Sequence, residues 1–192
     1  MKNNIIKTSV VETETITCLR AAWFQLIKTI HQSLTEDARL ECATHCTARC
    51  CPKPIALKRS ESAIGHVAIM LPFEMEYILS KTNVCSTQFQ HASLKLASGF
   101  SIIDIGYITS AVPCPFLTYN NSCDIHNIRP LDCRSFPLIP IFNLDGTLTF
   151  RVDKECPSVN TFSATYQTRL KKIWEDLLPN LPMNYRILYN KL

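Results

Sequence analysis

Glycine is scarce in this chain: Gly65, Gly99, Gly106 and Gly146 are the only ones among 192 residues. None belongs to a glycine-rich turn between a strand and a helix, so the usual backbone cradle for a nucleotide or for S-adenosylmethionine has no counterpart. Long apolar runs are missing too, since nothing approaches the roughly 18 uninterrupted apolar residues of a membrane helix. After Lys2, the apolar Ile5, Ile6, Val10 and Val11 are too scattered for the core of a secretory signal. These absences predict a cytoplasmic protein with no membrane partner. Charge of one sign is lacking as well: 20 Lys and Arg stand against 16 Asp and Glu, and no block of five or six like charges occurs. The net charge of +4 therefore serves solubility and gives no strong signal for nucleic acid.

Sulfur and proline are what the chain has in excess, with 10 cysteines and 11 prolines. Four sulfurs crowd into Cys42-Ala-Thr-His-Cys46-Thr-Ala-Arg-Cys50-Cys51-Pro52, and four more, Cys114, Cys123, Cys133 and Cys156, are spread through the second half. Cys18 lies in an apolar helical pattern and Cys85 in a polar stretch, outside this layout. In a secreted protein such a count would suggest disulfides, but in a reducing cytosol it points to metal or redox chemistry. The doublet Cys50-Cys51 argues the same way, because a disulfide between sequence neighbours closes a strained ring.

An apolar content of 46% over 192 residues supports a single domain over residues 1–192 with a sizeable core. Ile16, Leu19, Trp23, Leu26, Ile27, Ile30 and Leu34 recur at steps of three and four and predict a helix over residues 14–34. Ser33 and Glu36 have the spacing of a capping box, so this helix should end near His31 and a second should lead into the first cysteines. Pro72, Glu74 and Glu76 mark the start of a short helix running to Leu79. Residues 81–96 carry no clear period, whereas 100–108 suit a strand. Five prolines between Ala111 and Pro140 exclude a long regular element there. Asp145-Gly146 supplies the turn of a β-hairpin over 141–152. Phe162, Tyr166, Leu170, Ile173, Trp174 and Leu177 predict a closing helix over 162–178, stopped by Pro179. The expected fold is α+β and mostly helical: terminal helices around an irregular, metal-clamped, cysteine-rich centre, with one β-hairpin.

Thiolates suit zinc, copper(I) or iron with sulfide, and eight of them exceed what one tetrahedral zinc accepts. On an intact helix, cysteines four residues apart sit roughly 5–6 Å from each other at Cβ. Sulfurs around one zinc, at Zn–S bonds of about 2.3 Å, lie closer together than that, so the spacing favours a multi-iron cluster. Proline directly follows Cys51, Cys114 and Cys156, as it follows the last ligand in bacterial ferredoxins. Arg49, Lys53, Arg129 and Arg134 are placed along the chain to offset the negative charge of a thiolate site, or else lie on the surface. His45 and His126 stand close to cysteines and are alternative ligands, while His31, His66 and His91 suit packing or the surface.

The segments Cys114-Pro-Phe-Leu, Cys123-Asp-Ile-His-Asn-Ile-Arg-Pro130 and Cys133-Arg-Ser-Phe-Pro137 resemble the YkgJ-type cysteine-cluster family over roughly residues 42–157. That family is described both as a zinc- or iron-chelating domain and as iron-sulfur-cluster-containing proteins. The resemblance implies metal ligation by Cys46, Cys50, Cys51, Cys114, Cys123, Cys133 and Cys156, with Cys42 as the eighth. It differs in its first element, where three residues rather than two separate Cys42, Cys46 and Cys50. Its implied cofactor is an iron-sulfur cluster, of the 4Fe-4S kind, or zinc, with a redox or electron-transfer role. Two further readings are a flagellin lysine N-methylase-like enzyme, which family members resemble in part, and thiolate storage of metal such as copper(I). The shortage of glycine counts against the first of these.

Overall fold

The computed structural model describes residues 2–34, 51, 68–95, 102–108, 114–120 and 122–191. The chain opens with one long helix, α1 (Lys2–Ser33). Its inner face sets Trp23, Ile27, Ile30 and His31 into the interior, with Leu34 just beyond its end. That helix contains the expected span and extends well before it. Residues 2–14 carry no apolar stripe, so periodicity cannot show them, yet a helix once nucleated grows at little cost. Ser33 is the last residue of the helix, and its hydroxyl donates back to the Ile30 carbonyl at 2.8 Å. Glu36 and the helix expected after it lie outside the described residues.

The short helix α2 (Glu74–Leu79) begins two residues after Pro72, behind Phe73, whose φ of 61° is left-handed. Phe73 gives the helix no side-chain cap, and Glu74 folds back to accept the Leu71 N–H at 2.8 Å, fixing the approach of the chain. Tyr77, on this helix, packs edge-on against Phe24 and His31 of α1.

Strands β1 (Ala68–Ile69), β2 (Gln90–Lys95) and β3 (Ile102–Ile108) form an antiparallel sheet in the order β1-β3-β2. Its central strand buries Ile103, Ile105 and Ile108. Gly106 lies in that strand because a Cβ there would meet the Met75 sulfur of α2 at 2.6 Å. The ambiguous stretch 81–96 thus resolves into a 3₁₀ turn (Ser86–Gln88) and the edge strand β2. The single hairpin expected for the fold is therefore one of two small sheets.

That hairpin pairs β4 (Leu138–Phe142) with β5 (Leu148–Val152) across the expected turn, where Gly146 takes φ 86° and Asp145 accepts the Thr147 N–H at 2.9 Å. Pro140 sits inside β4 opposite Phe150, and a two-stranded ribbon tolerates it because one edge of each strand needs no donor. Helix α4 (Ala164–Leu177) starts at Ser163, whose hydroxyl accepts the Tyr166 N–H at 3.1 Å, and buries Tyr166, Leu170, Trp174 and Leu177. Pro179 falls in the 3₁₀ turn that ends it. A last helix, α5 (Met183–Lys191), goes beyond the expected elements and buries Tyr185 and Tyr189. The rings of Phe142, Trp174 and Tyr189 meet edge to face, with Phe142 and Tyr189 centred 5.2 Å apart. The described structure is about 49% helical and 20% strand, an α+β arrangement. No described helix is long and apolar enough to cross a membrane.

His91 of β2 is pinned on both sides. Nδ1 lies 2.6 Å from an Asp104 carboxylate oxygen and Nε2 lies 2.7 Å from the Ser86 carbonyl. Two acceptors call for two N–H donors, so the imidazolium is the form that fits, and its pKa is raised chiefly by the Ser86 carbonyl and further by Asp104. A raised folded-state value means stabilisation that is whole below the unfolded histidine pKa of about 6.5 and lost as pH climbs through the folded value. Following His91 by NMR titration should give a pKa above that reference, and His91→Gln should flatten the dependence of melting temperature on pH in this range.

Candidate metal centre

The second-half cysteines are carried by irregular chain that is closely tied to itself. Leu117 and Cys123 form an isolated antiparallel bridge, and the Asp124 N–H donates to the Phe116 carbonyl at 2.9 Å. Thr118 donates its N–H to the Ser122 carbonyl at 2.9 Å, closing the loop tip. The limbs bearing Cys114 and Cys123 are thereby drawn side by side. A 3₁₀ turn (His126–Ile128) follows Cys123, and Arg129-Pro130 leads into helix α3 (Leu131–Ser135), which carries Cys133.

Arg134 joins these pieces. It is fully buried; Nε donates to the Arg129 carbonyl at 3.1 Å and Nη2 donates to the Asn127 carbonyl. The side chain after Cys133 thus grips the turn after Cys123. Arg129 is buried too, so the surface alternative for both arginines does not hold. Burial and the Arg129 charge pull the Arg134 guanidinium below its ordinary range, against the opposing pull of Tyr166, Glu74 and Cys133.

Helix α3 is only five residues long, and Pro130 gives it no side-chain cap. Two buried carboxylates hold it. Glu74 Oε1 accepts the Leu131 N–H at 2.9 Å and stands 3.5 Å from His31 Nε2 of α1. Asp132 accepts the Ile69 N–H of β1 at 2.9 Å and the Tyr189 hydroxyl of α5. At the other end, Ser135 donates to the Leu131 carbonyl at 2.9 Å and accepts the Trp174 indole N–H at 2.8 Å. Three helices, α2, α4 and α5, and one strand, β1, therefore converge on the helix that carries Cys133.

Burial pushes the Cys133 thiol well above its ordinary pKa, and the neighbouring Asp132, Cys114 and Cys123 push it the same way, while Arg129 opposes them. Cys114 and Cys123 are thus each within electrostatic reach of Cys133. All three are half-buried, Cys156 is buried, and Cys51 is half-buried. Cys18 and Cys85 are exposed, in keeping with their place outside the cluster. Cys42, Cys46 and Cys50, with His45, Arg49 and Lys53, lie outside the described residues. Among the described residues, no group of three or more His, Cys, Asp or Glu side chains is arranged to hold a metal ion. The donor chemistry nonetheless suits a soft cation, because a buried thiol beside other thiols and a carboxylate loses its proton only to a positive charge. His126 belongs to the turn after Cys123 and donates its own N–H to the Cys123 carbonyl at 3.1 Å.

Against protein-family models, residues 41–163 match CxxCxxCC, described as a "putative zinc- or iron-chelating domain". The chain belongs to this family. No curated protein and no solved structure matches it. The matched region contains Cys42, Cys46, Cys50, Cys51, Cys114, Cys123, Cys133 and Cys156 and ends just before α4, so α1, α4 and α5 lie outside it.

Glu74 and Asp132 escaped the sequence reading as parts of the centre. Glu74 looks like an ordinary acidic residue favouring a helix N-terminus, and Asp132 like a polar neighbour of Cys133. Replacing Asp132 by alanine leaves a strand N–H and a tyrosine hydroxyl buried without their acceptor. The variant should lose about 3 kcal/mol in urea unfolding, whereas alanine at the exposed Asp124 should change stability by less than about 0.5 kcal/mol.

Proposed function

We propose that this member of the CxxCxxCC family binds an iron-sulfur cluster, of the 4Fe-4S kind, or zinc through Cys42, Cys46, Cys50, Cys51, Cys114, Cys123, Cys133 and Cys156. The observation that carries the reading is that Cys114 and Cys123 lie within electrostatic reach of Cys133, beside the buried Arg129, in a chain that matches the model of a "putative zinc- or iron-chelating domain". Three thiols and a buried carboxylate would repel each other as anions; a metal centre turns that repulsion into ligation, with Arg129 offsetting the remaining negative charge. A bound cluster would supply one-electron chemistry, which makes redox sensing or electron transfer the role, and zinc would supply a structural clamp. The protein is cytosolic in this reading, since thiolate ligands must stay reduced.

An anaerobic preparation analysed for iron, acid-labile sulfide, zinc and copper per chain, with its absorption spectrum, tests the proposal. Iron and sulfide in near-equal amounts with a broad visible band mean a cluster, and one or two zincs without colour mean a clamp. A chain free of all four metals would overturn metal binding, and copper in variable excess would favour storage. Cys133→Ser should lower both metal content and melting temperature strongly, and Cys85→Ser neither; equal melting temperatures for the two variants would count against the ligand assignment.

A further inference from the structure

One residue gathers three carbonyls from the stretch between Cys123 and Cys133. Arg134 donates its backbone N–H to Pro130 at 3.0 Å, Nε to Arg129 at 3.1 Å and Nη2 to Asn127. For stability alone this side chain is a poor device. The guanidinium is fully buried, and Nη1 has no hydrogen-bond partner among the described residues. A buried charge with an unsatisfied nitrogen is commonly worse for stability than an apolar side chain of similar volume. What the guanidinium does supply is shape. Its rigid planar fork reaches the Asn127 and Arg129 carbonyls at once, which the single ammonium of a lysine does not reproduce. The limb bearing Cys123 is already paired with that of Cys114 through the Leu117–Cys123 bridge, so the fork places both limbs relative to the helix of Cys133.

We propose, resting on the reading that these cysteines bind metal, that Arg134 is the positioning residue of the centre: its fork holds Cys123 in place against Cys133, and metal retention depends on that geometry and not on the arginine's charge. A second guanidinium in the chain provides the comparison. Arg186 of α5 makes a grip of the same kind, with Nε donating to the Leu181 carbonyl at 3.0 Å and Nη2 to the Leu178 carbonyl at 2.5 Å. No cysteine lies in that part of the sequence. Loss of either grip removes two buried or half-buried bonds, but only the loss at Arg134 frees a ligand-bearing segment.

The test takes the full chain prepared anaerobically and measures the zinc and iron it retains over a series of EDTA concentrations. Arg134→Lys should give up its metal at roughly 10- to 100-fold lower EDTA than the wild type, the loss usual for groups that orient metal ligands. Arg186→Lys should retain metal as the wild type does. Both variants should melt below the wild type, so a purely structural role would not separate them. If Arg134→Lys does not fold, hydrogen exchange on the wild type decides instead. By linkage, a grip that favours metal is itself favoured by metal. EDTA should then speed exchange of the His126 and Ile128 amides, bonded at 3.1 and 2.8 Å, more than that of the α5 amides. Undiminished retention in Arg134→Lys, equal loss in the two lysine variants, or exchange at His126 and Ile128 unmoved by EDTA would overturn the proposal and leave metal binding standing. A wild-type chain carrying neither zinc nor iron would overturn both.

Discussion

The short helix that carries Cys133 depends on two buried carboxylates. Five residues form barely more than one turn, too little to persist without support. Glu74 reaches it from α2 and Asp132 ties it to β1 and α5, so its first N–H and its own acidic side chain are both committed to distant parts of the chain. A carboxylate taken out of water is costly unless several donors converge on it. Here they do: the Leu71 and Leu131 N–H groups donate to Glu74, and the Ile69 N–H and Tyr189 hydroxyl donate to Asp132. The requirement runs both ways, since the helix needs the carboxylates and the carboxylates need the elements that bring them donors.

This explains why an irregular, proline-rich stretch can hold a defined position. Between Cys114 and Pro130 the chain gains little from regular backbone pairing, and its order comes from specific ties: the Leu117–Cys123 bridge, the turn after Cys123, and the Arg134 grip on the Asn127 and Arg129 carbonyls. Each tie starts or ends within a few residues of a cysteine. The burial that these ties impose is the same burial that raises the Cys133 thiol, so scaffold and ligand chemistry have one cause.

How far the sequence foretold this varied with the kind of signal. The stripes in α1 and α4 and the Asp145-Gly146 hairpin were plain, because each buries one face against the core and that leaves a period. Strand β2 was not, because it is an edge strand with most positions exposed. Helix α5 was hidden for a related reason: it has only nine residues, its buried ones are Tyr185 and Tyr189, and the apolar Met183 and Ile187 are exposed, which blurs the period. At the centre, the cysteines announced themselves by spacing, and the family match bears out metal chelation at that coarse level. The carboxylates did not, and Arg129 and Arg134 stood out only as one of two readings, since nothing local distinguishes a buried charge from a solvated one; only the partners brought by tertiary structure do.

The link between Ser135 and the Trp174 indole gives the molecule a built-in optical probe. The chain has two tryptophans, and Trp23 stands on α1. Trp174 is fully buried, and its indole N–H donates to the Ser135 hydroxyl, on the last residue of the helix that bears Cys133. Any change that unwinds or shifts this helix breaks or moves the bond to the indole nitrogen and alters its emission. The state of the cysteine-bearing turn is thus written into the intrinsic fluorescence of the protein, without any label.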